Sequence, residues 1–391
     1  MRIPIAWAAA TILAVAQPVS FEMFMQESAP QEAVEAIKSR SDAAAAGYGA
    51  EAGLGTPALM FEGAQVSDAA VEGGEWRVAF EQPIAHLRSG GLYGDRAKLG
   101  RELSRQRMQA DRAALESALF LAWNRLCLAE SIHQTAHEEE NLSLAVLKSV
   151  ESKNQSGILS ESALIWPRIE AARAALYADE TQARVKAETY AFEAAFGRPP
   201  PKAQVCVSPP LTFDFREQNA PAIRALELSA QIAAIEEQIA SRSSFDELSL
   251  EVGFGSEVEA KRVYGALKIP LPAGDAHHLS VEKARLSARA DALDIRREIA
   301  EKSALINSLR ERLRVLEGGL RAYGVLSSEA DRAVQGSRRL LELGQGTLTE
   351  VLSARSRARE VRAAFIEQQN SYFETLYALE SALGARLTKG E

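Results

Sequence analysis

The longest pattern in this chain is helical, with apolar residues that recur at heptad-like spacing. Residues 101–156 contain neither glycine nor proline, and their apolar positions include Leu115, Leu119, Leu126 and Val150. A narrow apolar stripe is typical of a coiled-coil seam, where a helix buries one edge only. The pattern therefore predicts a long helix that packs along one stripe.

Gly157 ends this predicted helix, and a second helix follows it. Ser160 is placed to cap the second helix by accepting a hydrogen bond from a free backbone N–H. This helix is predicted to run to about Phe196, with a kink at Pro167 because proline lacks an N–H. The two helices would form a hairpin with its tip near Gly157.

A second helical hairpin is predicted further along the chain. A long helix starts after Gly274 and reaches Leu343, where Gly344 and Gly346 break it and Thr347 can cap the next helix. Three glycines are expected to interrupt the long helix and make its lower half flexible: Gly318, Gly319 and Gly324.

Two short alternating segments precede each helical hairpin. The predicted strands are 58–66 and 75–84 in the first case, and 246–254 and 260–271 in the second. Segments of about ten residues with polar turns suit the strands of a transmembrane barrel. An amphipathic hairpin on a soluble protein would show the same alternation, so the pattern alone leaves both interpretations open.

The whole unit occurs twice, at a constant offset of 187 residues. Ala79-x-x-x-Pro83 recurs as Ala266-x-x-x-Pro270, and the Tyr-Ala-x-Glu-x-Ala-x-Gly motif of residues 190–197 recurs at 377–384. Repeats of this length indicate a duplicated architecture. Each half is predicted to contain, in order, a helix, two strands, a long helix and a helix.

The patterns divide the chain into two repeats with a linker between them. The predicted units are a first repeat at 17–197, a Pro-rich linker at 198–218, a second repeat at 219–386 and a tail at 387–391. The first repeat contains a β-hairpin at 58–84 and a helical hairpin at 92–197. The second contains a β-hairpin at 246–271 and a helical hairpin at 275–386.

The N-terminus has the pattern of a secretory signal peptide, predicted to occupy residues 1–16. Arg2 precedes an apolar run from Ile3 to Ala16, which ends in the small-x-small site Ala14-Val-Ala16. An ordinary apolar helix is the alternative. No later segment approaches the roughly 18 apolar residues of a membrane-spanning helix, so export without a helical anchor is expected. No cysteine follows the cleavage site, so a lipid anchor there is not expected either.

Composition narrows the classes of function. The 391 residues carry a net charge of −8, which disfavours nucleic acid as a partner, and only 6% are aromatic, which favours long packed helices over a broad globular core. The sequence shows no phosphate-binding loop and no Ser/His/Asp set at catalytic spacing, so no enzyme activity and no cofactor are predicted.

Residues 341–355, Leu-Glu-Leu-Gly-Gln-Gly-Thr-Leu-Thr-Glu-Val-Leu-Ser-Ala-Arg, resemble the helical-tip motif of the TolC-like outer-membrane efflux channel family. That motif has a glycine, a Ser or Thr three residues later, and then Leu-Leu-Asp-Ala. Ser353 occupies the Asp position, so the resemblance implies no carboxylate gate there. Residues 52–62 and 78–84 are similar to the heavy-metal (cobalt-zinc-cadmium) branch of the family, with Thr56 in place of its Asn.

The resemblance implies a mainly α fold with a small β part. Three protomers would each give four strands to a shared twelve-stranded β-barrel in the outer membrane, and their helices would form a coiled-coil tunnel through the periplasm. The implied partners are two further copies of the chain, a periplasmic adaptor (membrane fusion) protein, an inner-membrane pump of the resistance-nodulation-division type and outer-membrane lipid.

The implied function is a passive exit duct in a tripartite efflux system, with divalent heavy-metal cations as the expected cargo. Three alternatives stay open at this point. The duct could export drugs or other small molecules, or serve type I secretion. The chain could instead be a periplasmic adaptor, although an adaptor has one helical hairpin. An enzyme built on a helical bundle would need inward-facing Glu-x-x-His pairs, and the sequence shows none.

The resemblance also assigns candidate sites. Adaptor docking is implied for the two tips, at Gly157, Ser160, Gly344, Gly346 and Thr347. The alternative is a plain helix–turn–helix connection with capping Ser and Thr at each tip. His133 and His137 lie four residues apart on a predicted helix, a spacing that can chelate zinc or copper but is also common on solvated helix faces.

Two further sets of residues complete the candidates. Cys127 and Cys206 could form a disulfide in an oxidising compartment or remain two buried thiols. Four strand aromatics could face lipid or pack in a soluble core: Trp76, Phe80, Phe254 and Tyr264.

Overall fold

A computed structural model of the chain describes residues 18–28, 30–51, 56–68, 71–85, 89–209, 220–242, 247–257, 260–269 and 275–387. The described residues form seven α-helices and four β-strands. The helices are α1 (Phe21–Ser28), α2 (Gln31–Glu51), α3 (Gly90–Gln155), α4 (Ile165–Phe196), α5 (Pro221–Arg242), α6 (Asp275–Glu342) and α7 (Leu348–Leu383). The strands are β1 (Ala58–Asp68), β2 (Val71–Ala85), β3 (Glu247–Glu257) and β4 (Ala260–Lys268). The predicted signal peptide lies outside the described residues, as do most of the predicted tail and residues 210–218 of the predicted linker.

The four strands form one antiparallel sheet in the order β1-β2-β3-β4. The two predicted β-hairpins therefore lie side by side, joined where β2 pairs with β3. In that register Val78 lies opposite Phe254 and Arg77 lies opposite Gly255. Because side chains alternate along a strand, this register puts Val78 and Phe254 on one face and Arg77 on the other.

The helices form two rows that share α3 and α6. On the side of the sheet, α2 packs on α3, α3 on α5, and α5 on α6; on the side of the tips, α4 packs on α3, α3 on α7, and α7 on α6. Close approach is possible in the first row because Gly100 has no side chain. A Cβ atom at Gly100 would lie 2.2 Å from the ring of Tyr48 on α2.

The largest hydrophobic core lies at the waist, where the two rows meet. Helix α1 inserts Phe21 and Phe24 between α3 and α4, so that Phe24 contacts the rings of Trp123 and Phe196. The seam predicted on α3 is buried at Leu119, Leu126, Ala129 and Val150, whereas Leu142 is exposed.

The segment after α4 is tied across this waist. Val19 pairs with Gln204 in a short parallel bridge, and the Trp123 Nε1–H donates to the Val205 carbonyl at 3.1 Å. Cys127 on α3 and Cys206 are joined by a disulfide bond. The first residues of the predicted linker are therefore a fixed part of the waist.

Two expectations about the first hairpin were wrong. A 3-10 turn at Glu161–Leu164 precedes α4, so Pro167 lies in the first turn of α4 and causes no kink. Proline is tolerated there because first-turn N–H groups have no partner within the helix. The Ser160 side chain does not cap a helix but contacts the Ser162 hydroxyl at 2.8 Å.

The expected interruption of the second long helix was also wrong. Helix α6 continues through Gly318, Gly319 and Gly324 without a break. Gly319 leaves room for the Gln368 side chain of α7, whose amide nitrogen would lie 2.3 Å from a Cβ atom at position 319. Tertiary packing thus outweighs the low helix propensity of glycine.

Candidate functional site

One face of the sheet is apolar and exposed. It carries side chains from all four strands: Leu59, Phe61, Trp76, Phe80, Leu250, Val252, Phe254, Val263 and Leu267. Each of them is more than two-fifths exposed, and Phe61 reaches 71%. A contiguous exposed surface of this kind marks an interaction with another protein or with a membrane.

The opposite face is polar, and it contains Tyr264. The expectation that Tyr264 joins the other three aromatics was wrong, because it lies opposite Gly253 while Phe254 and Val263 lie on the apolar face. Gly253 provides the space for this tyrosine, since a Cβ atom at position 253 would lie 2.1 Å from the Tyr264 hydroxyl.

A charged cluster crosses the polar face from β2 to β4; we call Arg77, Glu81, Glu251, Tyr264 and Lys268 the polar-face cluster. The Glu251 carboxylate bonds the Arg77 guanidinium and the Lys268 amine, the latter at 3.0 Å. Lys268 also reaches Glu81 at 3.4 Å, and Arg77 lies over the Tyr264 ring at 4.3 Å. Ion pairs thus connect three of the four strands, and Glu62 on β1 joins through Arg77 at 3.5 Å.

Within the described ranges, the sheet and both helix rows are open at their two ends. The elements at one end all belong to the first repeat (β1, α2 and α4), and those at the other end to the second repeat (β4 and α6). The α6 end exposes Leu279, Leu286 and Leu293 at seven-residue spacing. These leucines form a seam stripe that lies uncovered in the single chain.

The α4 end exposes a comparable stripe. Its large apolar members are Ile165, Ile169, Leu176 and Tyr190, of which Leu176 is 70% exposed. Their helical spacing places them along one edge of α4, on the side away from the residues buried against α3. The first-repeat side therefore carries an apolar stripe on α4, and the second-repeat side carries one on the sheet-side half of α6.

The first tip is a tight turn between α3 and α4. Gly157 has the left-handed conformation with φ of 74°, and the Ile158 N–H donates to the Lys153 carbonyl at 3.0 Å, which closes the end of α3. Next to this turn, Ile158 and Trp166 are exposed, with Trp166 at 64%. The first tip is therefore an apolar surface.

The second tip is the turn between α6 and α7. Gly344 has φ of 71° and ends α6, and the Gly346 N–H donates to the Leu340 carbonyl at 3.1 Å. Thr347 caps α7 as predicted: its hydroxyl accepts from the Glu350 N–H at 3.3 Å, and the Glu350 carboxylate accepts from the Thr347 N–H at 2.7 Å. This reciprocal pair is a capping box.

Arg355 connects the two hairpins just above the tips, a role that the sequence pattern did not reveal. Its guanidinium reaches from α7 to the Glu139 carbonyl and the Ser143 hydroxyl on α3, each at 3.5 Å. Burial lowers the pKa of Arg355 from its ordinary value, and the Glu139 and Glu170 carboxylates act in the opposite direction. Arg355 is the last residue of the tip motif at 341–355, so this motif is the one sequence feature that could have indicated its role.

The histidine pair lies on α3 with its rings apart. The ring centroids are 6.3 Å from each other, the His133 Nδ1 lies 3.1 Å from the Thr181 hydroxyl, and the His137 Nδ1 lies 2.9 Å from the Asn141 amide. Within the described ranges, no group of three or more His, Cys, Asp or Glu side chains is arranged to hold a metal ion. Metal binding by His133 and His137 stays a prediction.

Among the residues that the structure describes, no helix combines the length and the apolar character needed to cross a membrane.

No protein-family model matches the sequence, and no curated protein shows significant similarity to it. Solved structures do match. The CmeC outer membrane channel of Campylobacter jejuni is 16% identical with a TM-score of 0.76, covering 92% of this chain and 84% of that one. The outer membrane protein VceC of Vibrio cholerae is 16% identical with a TM-score of 0.72, over 94% and 95%. CusC, whose crystal structures concern transmembrane channel formation, is 17% identical with a TM-score of 0.73, over 90% and 89%.

The chain therefore has the fold of the TolC-like outer-membrane channels, mainly helical with a small sheet. The likeness extends over at least nine-tenths of the chain in each of the three comparisons. The predicted mainly α fold with a small β part is confirmed.

Proposed function

We propose that this chain is one protomer of an outer-membrane channel that serves as the passive exit duct of a tripartite efflux system. One observation supports the proposal above the others: the sheet and both helix rows are all open, and at each side of the molecule the open ends belong to the same repeat. Such a molecule completes itself by joining its first-repeat side to the second-repeat side of another copy.

This joining favours a closed ring. The two sides carry different surfaces, so the contact between copies is heterologous, and a heterologous contact closes into a ring when the rotation between copies allows it. Three copies would supply twelve strands to one barrel. The apolar stripes on α4 and α6 would then be buried between neighbouring protomers.

The sheet supports the outer-membrane location. A barrel satisfies every backbone hydrogen bond and leaves no open edge in lipid. The apolar face that includes Phe61 and Phe254 is suited to contact lipid, and the polar-face cluster to line a water-filled lumen. A duct of this kind carries no reaction of its own, so the energy for transport would come from an inner-membrane pump.

Fractionation and phenotype test this proposal together. We expect the full chain in the outer-membrane fraction as a trimer, and we expect a strain without it to become more sensitive to divalent metals than to dyes or detergents. A soluble periplasmic monomer would contradict the channel. The reverse sensitivity pattern would contradict the metal cargo and leave the channel in place, with drug or small-molecule export as the alternative.

We also propose that the tips dock a periplasmic adaptor, with Gly157, Ser160, Gly344, Gly346 and Thr347 shaping the two turns. The exposed apolar surface of the first tip supports this role. Exposed aromatic residues often dominate the energy of protein interfaces.

Trp166→Ala is therefore expected to weaken adaptor binding by about 2 kcal/mol, or roughly 30-fold, without changing the amount of trimer. The measurement is the dissociation constant of the purified channel for its adaptor. The control is Gln182→Ala, which changes an exposed residue of the same helix that lies outside the apolar stripe and away from the tip. Equal binding by the Trp166→Ala variant and the unmodified chain would contradict docking through the first tip.

A further inference from the structure

The polar-face cluster joins residues that occupy the same position in the two repeats. Arg77 and Tyr264 are 187 residues apart, as are Glu81 and Lys268, and 187 residues is the repeat offset. The motif Ala79-x-x-x-Pro83 and its second copy fix this correspondence, because both pairs lie within or next to it. Equivalent positions in the two repeats therefore carry unlike side chains that contact each other.

From this we infer that the polar-face cluster is a pairing code, which makes the first-repeat hairpin associate with the second-repeat hairpin and not with another copy of itself. If the second hairpin were replaced by a copy of the first, an arginine would occupy position 264 and face Arg77. In the same way, a glutamate would occupy position 268 and face Glu81. Like charges at these positions repel, so the unlike arrangement is favoured.

Glu251 makes an incorrect pairing of hairpins energetically unfavourable. Its side chain is on β3, between the two equivalent pairs, and the residue is only 1% exposed. It bonds Arg77 from the first repeat and Lys268 from the second. A buried carboxylate that loses a cationic partner is strongly destabilising, so an incorrect neighbour is penalised. The position equivalent to Glu251 in the first repeat is Ala64, which cannot play this part.

Glycines in β3 allow the contact to cross a whole strand. Arg77 on β2 and Tyr264 on β4 are separated by β3, where Gly253 and Gly255 lie opposite them. The Arg77 Nε–H donates to the Tyr264 hydroxyl above these glycines. The equivalent positions in β1 are Val66 and Asp68, so the first repeat has no glycine at either position.

In the proposed barrel the pairing code would determine which hairpins become neighbours, and this part of the inference rests on the proposed function. Three chains would bring six hairpins of two kinds to the membrane, and the barrel closes correctly only if the two kinds alternate. The apolar face provides no such distinction, because both hairpins present large apolar residues there. The charges on the polar face distinguish them.

A reciprocal charge swap tests the code. In the full chain, Lys268→Glu is expected to lower the outer-membrane trimer about tenfold, because it replaces the cation that pairs with both Glu81 and Glu251 by a third carboxylate. Glu81→Lys is expected to lower it about threefold, since the introduced amine can still bond Glu251. The variant with both substitutions is expected to return to within about twofold of the unmodified chain, because the opposite charges are restored.

A matched control separates the code from a general effect of charge. Asp95 and Lys98 form an exposed pair on α3 at 3.2 Å. Reversing either charge there is expected to leave the amount of trimer within about twofold, because exposed pairs contribute little. If the double variant of Glu81 and Lys268 recovers no better than the worse single variant, the pairing code is overturned.

Co-expression shows whether the pairing is within one chain. A chain with Glu81→Lys and a chain with Lys268→Glu, produced together, should not rescue each other, because each chain keeps its own mismatched pair. Rescue would overturn the inference as stated. If the unmodified chain forms no membrane oligomer, the channel proposal fails, but the pairing code can still be tested. The single and double variants of Glu81 and Lys268 are then compared by the thermal unfolding of the purified chains.

Discussion

Val252→Lys is expected to reduce the outer-membrane trimer at least about tenfold. Val252 lies in the middle of β3 on the apolar face of the sheet and is 51% exposed. A lysine on the lipid face of a barrel costs about 2–4 kcal/mol near the middle of the bilayer. A trimer contains the substitution three times, so each of its three protomers bears this free-energy cost of placing a lysine in lipid. The measurement is the amount of trimer in isolated outer membranes.

Ala266→Lys provides the matched control. Ala266 lies on β4, on the polar face and opposite Glu251. A lysine there meets a carboxylate and, in the proposed barrel, water, so we expect the amount of trimer to stay within about twofold of the unmodified chain. Equal loss in both variants would show that the sheet tolerates no added charge on either face. Equal survival would mean that the apolar face does not contact lipid.

The parts of this fold that could be predicted from the sequence are those with a strong local signal. Heptad spacing and glycine breaks located the long helices, and the structure places Gly157 and Gly344 in the left-handed conformation at the two tips. Alternation located the strands, with the observed ends of β1 and β4 at Asp68 and Lys268. The constant repeat offset provided the order of elements, because two copies of one unit are expected to share that order.

The errors occurred where a neighbouring element decides the outcome. Gly319 has the pattern of a helix breaker, but its lack of a side chain is used to admit Gln368 from α7. Pro167 has the pattern of a proline within a helix, because the sequence does not show that a 3-10 turn delays the start of α4. Tyr264 resembles the aromatic residues of the apolar face in its strand position, although alternation from Val263 assigns it to the other face.

The polar-face cluster could not have been found from a local pattern at all. Arg77, Glu251 and Lys268 belong to three strands, and their contacts depend on how β2 pairs with β3 across the boundary between repeats. That register is set by the whole sheet. The repeat offset does, however, relate Arg77 to Tyr264, so the unlike residues at equivalent positions are the one trace of the cluster in the sequence.

Trp123→Ala is expected to destabilise the chain by about 3–5 kcal/mol, the range for removing a large buried aromatic side chain. Trp123 is fully buried at the waist, where it contacts Phe21 and Phe24 of α1 and Phe192 of α4. The disulfide between Cys127 and Cys206 keeps the segment after α4 attached, so the loss reports on packing at the waist. The measurement is thermal unfolding of the purified chain in detergent, monitored by circular dichroism.

Two variants show which property of Trp123 matters. Trp123→Phe keeps a ring in the core but cannot donate to the Val205 carbonyl, so we expect an intermediate loss of about 1–3 kcal/mol. Trp166→Ala makes the alanine substitution at an exposed tryptophan and is expected to change stability by less than about 0.5 kcal/mol. If Trp123→Ala and Trp166→Ala unfolded at the same temperature, the aromatic waist would not be the core that holds the two helix rows together.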